Sequence, residues 1–70
     1  MKFILVLHIC SSVYLNCLPP VNDTFVFNSW IECANAGYLR AIETTNKMNS
    51  DIVNRNKIVV NFECVEIEES

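Results

Sequence analysis

Two segments of the chain carry hydrophobic patterns typical of β-strands. The first, residues 2–10 (KFILVLHIC), is a nearly unbroken apolar and β-branched run, which is typical of a central strand covered on both faces. The second, residues 57–67 (KIVVNFECVEI), alternates with a period of two. The face of this strand that we expect to pack against a helix consists of Ile58, Val60, Phe62 and Cys64.

Between these strands lies a pattern typical of one long amphipathic helix, ending near Met48. Ser29 followed three residues later by Glu32 forms a capping box, so the helix is predicted to begin at Asn28 or Ser29. Gly37 lies in the middle of this helix, where glycine costs about 1 kcal/mol relative to alanine, so we expect it to approach a strand or a second helix closely. The face that we expect to be buried consists of Ile31, Ala34, Tyr38, Ala41, Ile42 and Thr45.

The order strand, helix, strand predicts an α+β fold of the βαβ type. One long central helix packs on a small two- to three-stranded sheet, with parallel strands and a right-handed crossover. An antiparallel arrangement of the strands is the alternative. Pro19 and Pro20 interrupt the connection after the first strand, and residues 54–56 read as a turn. Because two strands alone are marginal, we expect a third short strand within residues 13–27, or a homodimer that extends or stacks the sheet.

Composition narrows the class of protein. A chain of 70 residues with 51% hydrophobic side chains predicts one small domain, residues 1–70, rather than a disordered segment. The net charge is −3, and the five basic residues are scattered, which argues against binding to nucleic acid. Four of the eight acidic residues lie in the last eight positions, and we interpret them as a solvated end: Glu63, Glu66, Glu68 and Glu69.

The N-terminal segment allows two interpretations. Lys2, the apolar run and the small residues Cys10 and Ser12 match the layout of a secretory signal peptide. Against this, the run is short and contains His8, and cleavage after Ser12 would leave an odd number of cysteines. We therefore expect a retained structural strand, with a cleaved or anchoring signal as the alternative. The run is too short for a transmembrane helix, so no membrane span is predicted.

The four cysteines are candidates for two disulfides. If the two strands are parallel neighbours, Cys10 and Cys64 meet at one sheet edge, and Cys17 then reaches Cys33 at the start of the helix. Each bridge would contribute about 2–4 kcal/mol to a domain too small to bury a large core. Other pairings, free buried thiols and a zinc site are the alternatives. Zinc is the weakest of these, because no closely spaced ligand pair is present.

No residue set predicts catalysis. His8, the single histidine, sits inside an apolar strand and is expected to be a hydrogen-bonded structural residue, although a dyad with Cys10 or Cys64 is conceivable. With Gly37 as the only glycine, a glycine-rich phosphate-binding loop is excluded. We therefore expect a protein that is not an enzyme, with no catalytic residues, no metal and no cofactor.

Two helix residues are candidates for contact with a partner protein. The aromatic residues near the helix start, Trp30 among them, are expected to belong to the core. Because Trp30 lies about one position away from the predicted buried face, a half-exposed position is the alternative, and it would suit an anchor for a partner protein. Arg40 is expected to be solvated, and an ion pair with Glu43 or with a carboxylate of a partner is the alternative.

Several local motifs resemble those of one group of proteins. They are Cys10-Ser11, Cys17 with Pro20, Cys33 with Ala36-Gly37-Tyr38, and Phe62-Glu63-Cys64. Together they cover nearly the whole chain, and the chain resembles short uncharacterised proteins encoded by marine bacteriophages and found in environmental viral sequences. The resemblance implies a viral source and a small phage accessory protein, but no particular fold, activity or site.

The leading hypothesis is a non-enzymatic viral accessory protein that binds a host or viral protein. One alternative is a virion structural or decorating protein, which would associate symmetrically. Another is a small dimer that sequesters a ligand, for which the candidate polar groups are Asn35, Arg40, Arg55 and Lys57. Oxidised cysteines would place the protein in a secreted or periplasmic location, and reduced cysteines in the host cytoplasm or the virion.

Overall fold

A computed structural model of the chain describes residues 1–67, so Glu68 and Glu69 of the acidic C-terminal group lie outside the described residues. Within that range the chain forms one four-stranded antiparallel sheet, two helices and two disulfides, which confirms the α+β class. The elements in chain order are β1 (Lys2–Ser11), β2 (Asn16–Cys17), β3 (Val21–Phe27), α1 (Trp30–Lys47), α2 (Ser50–Asn56) and β4 (Ile58–Ile67).

The apolar run at the N-terminus forms the central strand of the sheet. β1 pairs with β4 along one side, and with β2 and β3 along the other, and every pairing is antiparallel. In the register with β4, Leu5 lies opposite Cys64 and Ser11 lies opposite Ile58. The predicted parallel pairing of the first and last strands is therefore wrong, and the antiparallel alternative is the correct one.

The crossover through the helix joins a different pair of strands. β3 and β4 are both antiparallel to β1, so they run parallel to each other with β1 inserted between them. The chain leaves β3 at the end of the sheet where Phe27 pairs with Phe3, and it enters β4 at the opposite end. The unit β3–α1–β4 is thus a split βαβ arrangement. The prediction failed because it took β1 as the strand before the helix.

The third strand expected within residues 13–27 is present as β3, at one edge of the sheet. Its register shifts between the partners of Ile4 and Val6, so the residues from Asn22 to Val26 form a bulge. Within this bulge Asp23 Oδ1 accepts a hydrogen bond from the backbone N–H of Phe25 at 3.0 Å. The polar Asn22-Asp23 pair, which is typical of a turn in sequence, therefore lies inside a strand.

Both helices begin at side-chain caps. Ser29 caps α1, and its Oγ accepts a hydrogen bond from the backbone N–H of Glu32, which confirms the predicted start of the helix. Asn49 caps α2 in the same way through the N–H of Asp51. α2 continues through residues 54–56, so the predicted turn there is wrong. It ends at Lys57, whose left-handed backbone (φ 48°) turns the chain into β4.

The core lies between α1 and one face of the sheet. Its most buried side chains are Leu5 and Cys33, and Phe62 and Cys64 of β4 pack against it, which confirms the predicted inner face of that strand. Val59 and Val65, on the opposite face of β4, are 43% and 38% exposed. Neither helix within residues 1–67 is both long and apolar enough to cross a membrane.

Candidate functional site

The side of α1 that faces the sheet is made of small residues. Cys33 is fully buried and forms a disulfide with Cys64 of β4. One turn later Gly37 lies against the ring of Phe62, so closely that a Cβ atom at Gly37 would overlap the ring. The predicted close approach of Gly37 to a strand is confirmed. These contacts let α1 sit low on the sheet and fix which side of the helix points inward.

The large apolar residues of α1 lie on the other side of the helix. Successive helical residues are rotated by about 100°, so Ile42, nine residues after Cys33, lies about 180° from it. We call the four large side chains of this side the outer stripe: Ile31, Tyr38, Leu39 and Ile42. They are 67%, 65%, 61% and 58% exposed, respectively. The prediction that Ile31, Tyr38 and Ile42 are buried is therefore wrong, because the small residues Cys33 and Gly37 take the place against the sheet.

The outer stripe is continuous with the edge of the sheet at β4. The ring of Tyr38 packs edge-to-face on Phe62, with 4.9 Å between the ring centroids. A shallow cavity beside this contact is lined by Ala41, Ile42, Thr45, Asn46 and Val60. The exposed apolar surface therefore extends from the helix to the outer strand, without a charged side chain lining this cavity.

The two predicted partner-binding residues lie outside the outer stripe and contact the sheet. Trp30 is 60% exposed, so the half-exposed alternative is correct and the core position is wrong, and its ring packs edge-to-face on Phe3 at 5.7 Å. Arg40 Nε lies 3.1 Å from Asp23 Oδ2 of β3, and Arg40 Nη1 lies 3.9 Å from Glu43 Oε2. Arg40 thus tethers the helix to β3, on the side away from β4.

The cysteine pairing differs from the predicted one. Cys10 bonds to Cys17, directly opposite it on β2, and Cys33 bonds to Cys64. Cys10 lies opposite Val59, five residues along β4 from Cys64, or roughly 17 Å in an extended strand. The predicted Cys10–Cys64 and Cys17–Cys33 bridges are therefore wrong, because they assumed parallel strands. All four cysteines remain disulfide residues, as the sequence suggested.

The single histidine lies on the open face of the sheet. His8 Nε2 is 3.2 Å from Glu63 Oε1, and its side chain is 32% exposed. Both cysteines once considered as partners for it, Cys10 and Cys64, are bonded to other cysteines. A cysteine in a disulfide is not a nucleophile, so this arrangement offers no thiol for a Cys–His dyad.

The polar residues considered for ligand binding are not gathered in one described cavity. Arg40 is held by Asp23, whereas Lys57 lines a cavity at the start of β4 with Ser12, Val53, Asn54, Ile58 and Val59. Within residues 1–67, no cluster of three or more histidine, cysteine or acidic side chains is placed to hold a metal ion.

Comparison of the chain with known protein families, curated proteins and solved structures finds no match. The indications of function therefore lie in the molecule's own surfaces. The outer stripe was missed at the sequence level, although one signal pointed to it. Cys33, Gly37 and Ala41 form a row of small residues at a spacing of four, and small side chains on one side of a helix let it approach a sheet closely.

Proposed function

We propose that this protein acts without enzymatic activity, by binding another protein through the outer stripe of α1. The observation that carries this proposal is the exposure of four large apolar side chains on one side of a single helix. Large apolar side chains that are exposed together on one side of a helix are typical of an interaction site. The partner would be a host or viral protein, in keeping with the resemblance to phage proteins.

The helix that carries the outer stripe is held in place before binding. The disulfide Cys33–Cys64 and the contact between Gly37 and Phe62 fix α1 against β4, and Ser29 caps its first turn. A rigid surface loses little conformational entropy when a partner binds, so a larger share of the contact energy appears as affinity. The partner most compatible with this surface presents an apolar helix or groove to α1.

The disulfides support an extracellular or periplasmic site of action. Both bridges are part of the framework that holds the elements together, and such bridges persist in oxidising compartments. We therefore place the partner outside the reducing cytoplasm.

A virion structural or decorating role is the second candidate function. It is favoured by β4, a regular ten-residue strand that lies at the edge of the described sheet. A long open edge of this kind is a template for pairing with another copy. Symmetric self-association through β4 would distinguish this role from a complex with a different protein.

The proposed function is tested with two matched leucine substitutions. Leu39→Asn removes a side chain of the outer stripe, whereas Leu15→Asn removes an exposed leucine in the turn after β1. Proteins from the native host that bind the immobilised wild type are identified by mass spectrometry, and their Kd is then measured with purified components. We expect Leu39→Asn to weaken binding at least tenfold and Leu15→Asn to leave it unchanged. Equal binding by all three proteins would refute the proposal.

A further inference from the structure

The turn between β1 and β2 forms a second exposed apolar surface, at one end of the molecule. We call its large side chains the hairpin tip: Val13, Tyr14 and Leu15. They are 50%, 70% and 86% exposed. Leu18, which follows β2 and donates its N–H to the carbonyl of Ile9, is a further exposed side chain at the base of the hairpin. No residue from Ile9 to Asn22 is charged. Moving this part of the chain out of water therefore does not require the desolvation of a charged side chain.

Hydrogen bonds and a disulfide hold the hairpin tip in one conformation. Ser11 Oγ accepts a hydrogen bond from the N–H of Tyr14, and the carbonyl of Ser11 accepts one from the N–H of Leu15. Cys10–Cys17 closes the base of the hairpin. The exposed side chains therefore belong to an ordered element rather than to a loose loop.

The backbone at Leu15 is unusual for its residue type. Leu15 has a φ of 56°, in the left-handed region that favours glycine and asparagine and that disfavours leucine. Its side chain contributes nothing to the core, because it is the most exposed apolar residue in the hairpin. Strained residues of this kind are concentrated at functional sites. Leucine at this position thus points to a binding role rather than to a folding role.

Lys57 lies beside the base of the hairpin, and the acidic end of β4 lies far from it. The N–H of Ser12 donates to the carbonyl of Lys57, Ser11 Oγ donates to the carbonyl of Asn56, and Lys57 and Ser12 line the same cavity. Glu66 pairs with Phe3, eight residues from Ser11, or roughly 27 Å along the strand. That distance exceeds two Debye lengths at physiological salt, each about 8 Å.

We propose that the hairpin tip inserts into the interfacial region of a lipid bilayer that contains anionic lipids. Val13 and Leu15 would enter the acyl boundary, and the Tyr14 ring would sit at the headgroup level, where tyrosine is enriched. Lys57 would contact the anionic headgroups. The protein lies on the membrane in this arrangement and does not span it. The proposal is independent of the outer stripe, which is on α1.

The test is flotation of the purified, disulfide-bonded protein with vesicles of phosphatidylcholine containing 30% phosphatidylglycerol. Wild type is expected to float with these vesicles, and to float several-fold less with vesicles of phosphatidylcholine alone. Leu15→Asn is expected to reduce the bound fraction at least tenfold. This variant should fold at least as well as wild type, because asparagine tolerates the left-handed backbone, and its melting temperature verifies this.

Leu39→Asn is the matched control and is expected to bind vesicles like wild type. The pair of variants therefore separates this proposal from the proposed function, since each is expected to lose one activity and keep the other. Absence of vesicle binding by wild type would overturn the proposal, and so would equal loss in both variants. Binding of the hairpin tip to a protein, with no binding to vesicles, would also overturn it.

Discussion

The two sides of helix α1 differ in a way that reverses the usual amphipathic pattern. The inner side carries Cys33 and Gly37, which are buried against β4, whereas the outer side carries large apolar residues that are more than half exposed. Close packing on the sheet requires small side chains, because a larger group at Gly37 would overlap Phe62. The comparison teaches that residue size, and not hydrophobicity alone, decides which side of a helix is buried.

The largest expected effect comes from the disulfide on the inner side. Replacing Cys33 and Cys64 with alanine opens a loop of 31 residues, and the chain-entropy relation predicts a loss of about 4 kcal/mol in the free energy of unfolding. Replacing Cys10 and Cys17 opens a loop of only seven residues, for which the same relation gives about 2 kcal/mol. Urea unfolding monitored by circular dichroism measures both losses. A larger loss from the Cys10–Cys17 replacement would contradict the role given to the inner side.

A large side chain at Gly37 should disrupt the same packing. Gly37→Leu places a side chain where the ring of Phe62 lies, and we expect the free energy of unfolding to fall by about 3 kcal/mol or more. Asn35→Leu adds a leucine two residues earlier, at an exposed position of the same helix, and is the control. It should leave stability within about 0.5 kcal/mol of wild type. Native-like stability of Gly37→Leu would show that α1 does not rest on Phe62.

The ion pair between α1 and β3 should have a smaller effect. Asp23 is only 13% exposed, but Arg40 is 50% exposed, so solvent screens the pair. A double-mutant cycle with Arg40→Gln and Asp23→Asn is expected to give a coupling energy of about 0.5–1 kcal/mol. The asparagine keeps an oxygen for the N–H of Phe25, so the bulge in β3 is preserved. A coupling energy near zero would mean that Asp23 does not hold Arg40 in place, so that Arg40 could bind a carboxylate of a partner instead.

Polar substitution of the outer side should have the smallest effect on stability. In the triple variant Ile31→Gln, Leu39→Gln and Ile42→Gln, glutamine keeps good helix propensity and removes little buried surface. We expect its free energy of unfolding to stay within about 1 kcal/mol of wild type at the same protein concentration, while partner binding is lost. Unfolding of this variant would mean that the outer stripe supports the core.

Much of the fold could be predicted from local patterns in the sequence. The capping residue Ser29, the alternation in β4 and the apolar run of β1 each specify their element through contacts within the element or with one neighbour. Gly37 was also a correct indicator, because a mid-helix glycine usually marks a close approach. These features depend little on how distant parts of the chain pair with one another.

The strand order, the strand directions and the disulfide pairing depend on long-range topology, which local sequence patterns do not specify. β3 was hidden because Pro20, Asn22 and Asp23 read as a loop, whereas the structure uses Asp23 inside a bulge. Once β3 is recognised as the strand before the helix, the antiparallel direction of β4 follows, and the disulfide pairing follows from that direction. The exposed outer stripe was not predicted, since large apolar residues at helical spacing ordinarily indicate a buried face. The row of small residues Cys33, Gly37 and Ala41 was the one signal against that interpretation.

The most direct test of the account is to map the disulfides, because the Cys33–Cys64 bond fixes which side of α1 faces the sheet. Asp23 and Asp51 are the only aspartates, so cleavage before aspartate under non-reducing, acidic conditions yields residues 1–22, 23–50 and 51–70. The account predicts that residues 1–22 are released alone and 2 Da below their reduced mass, with 23–50 joined to 51–70. Release of all three fragments joined together would contradict it, because both other pairings of the four cysteines link residues 1–22 to the rest of the chain.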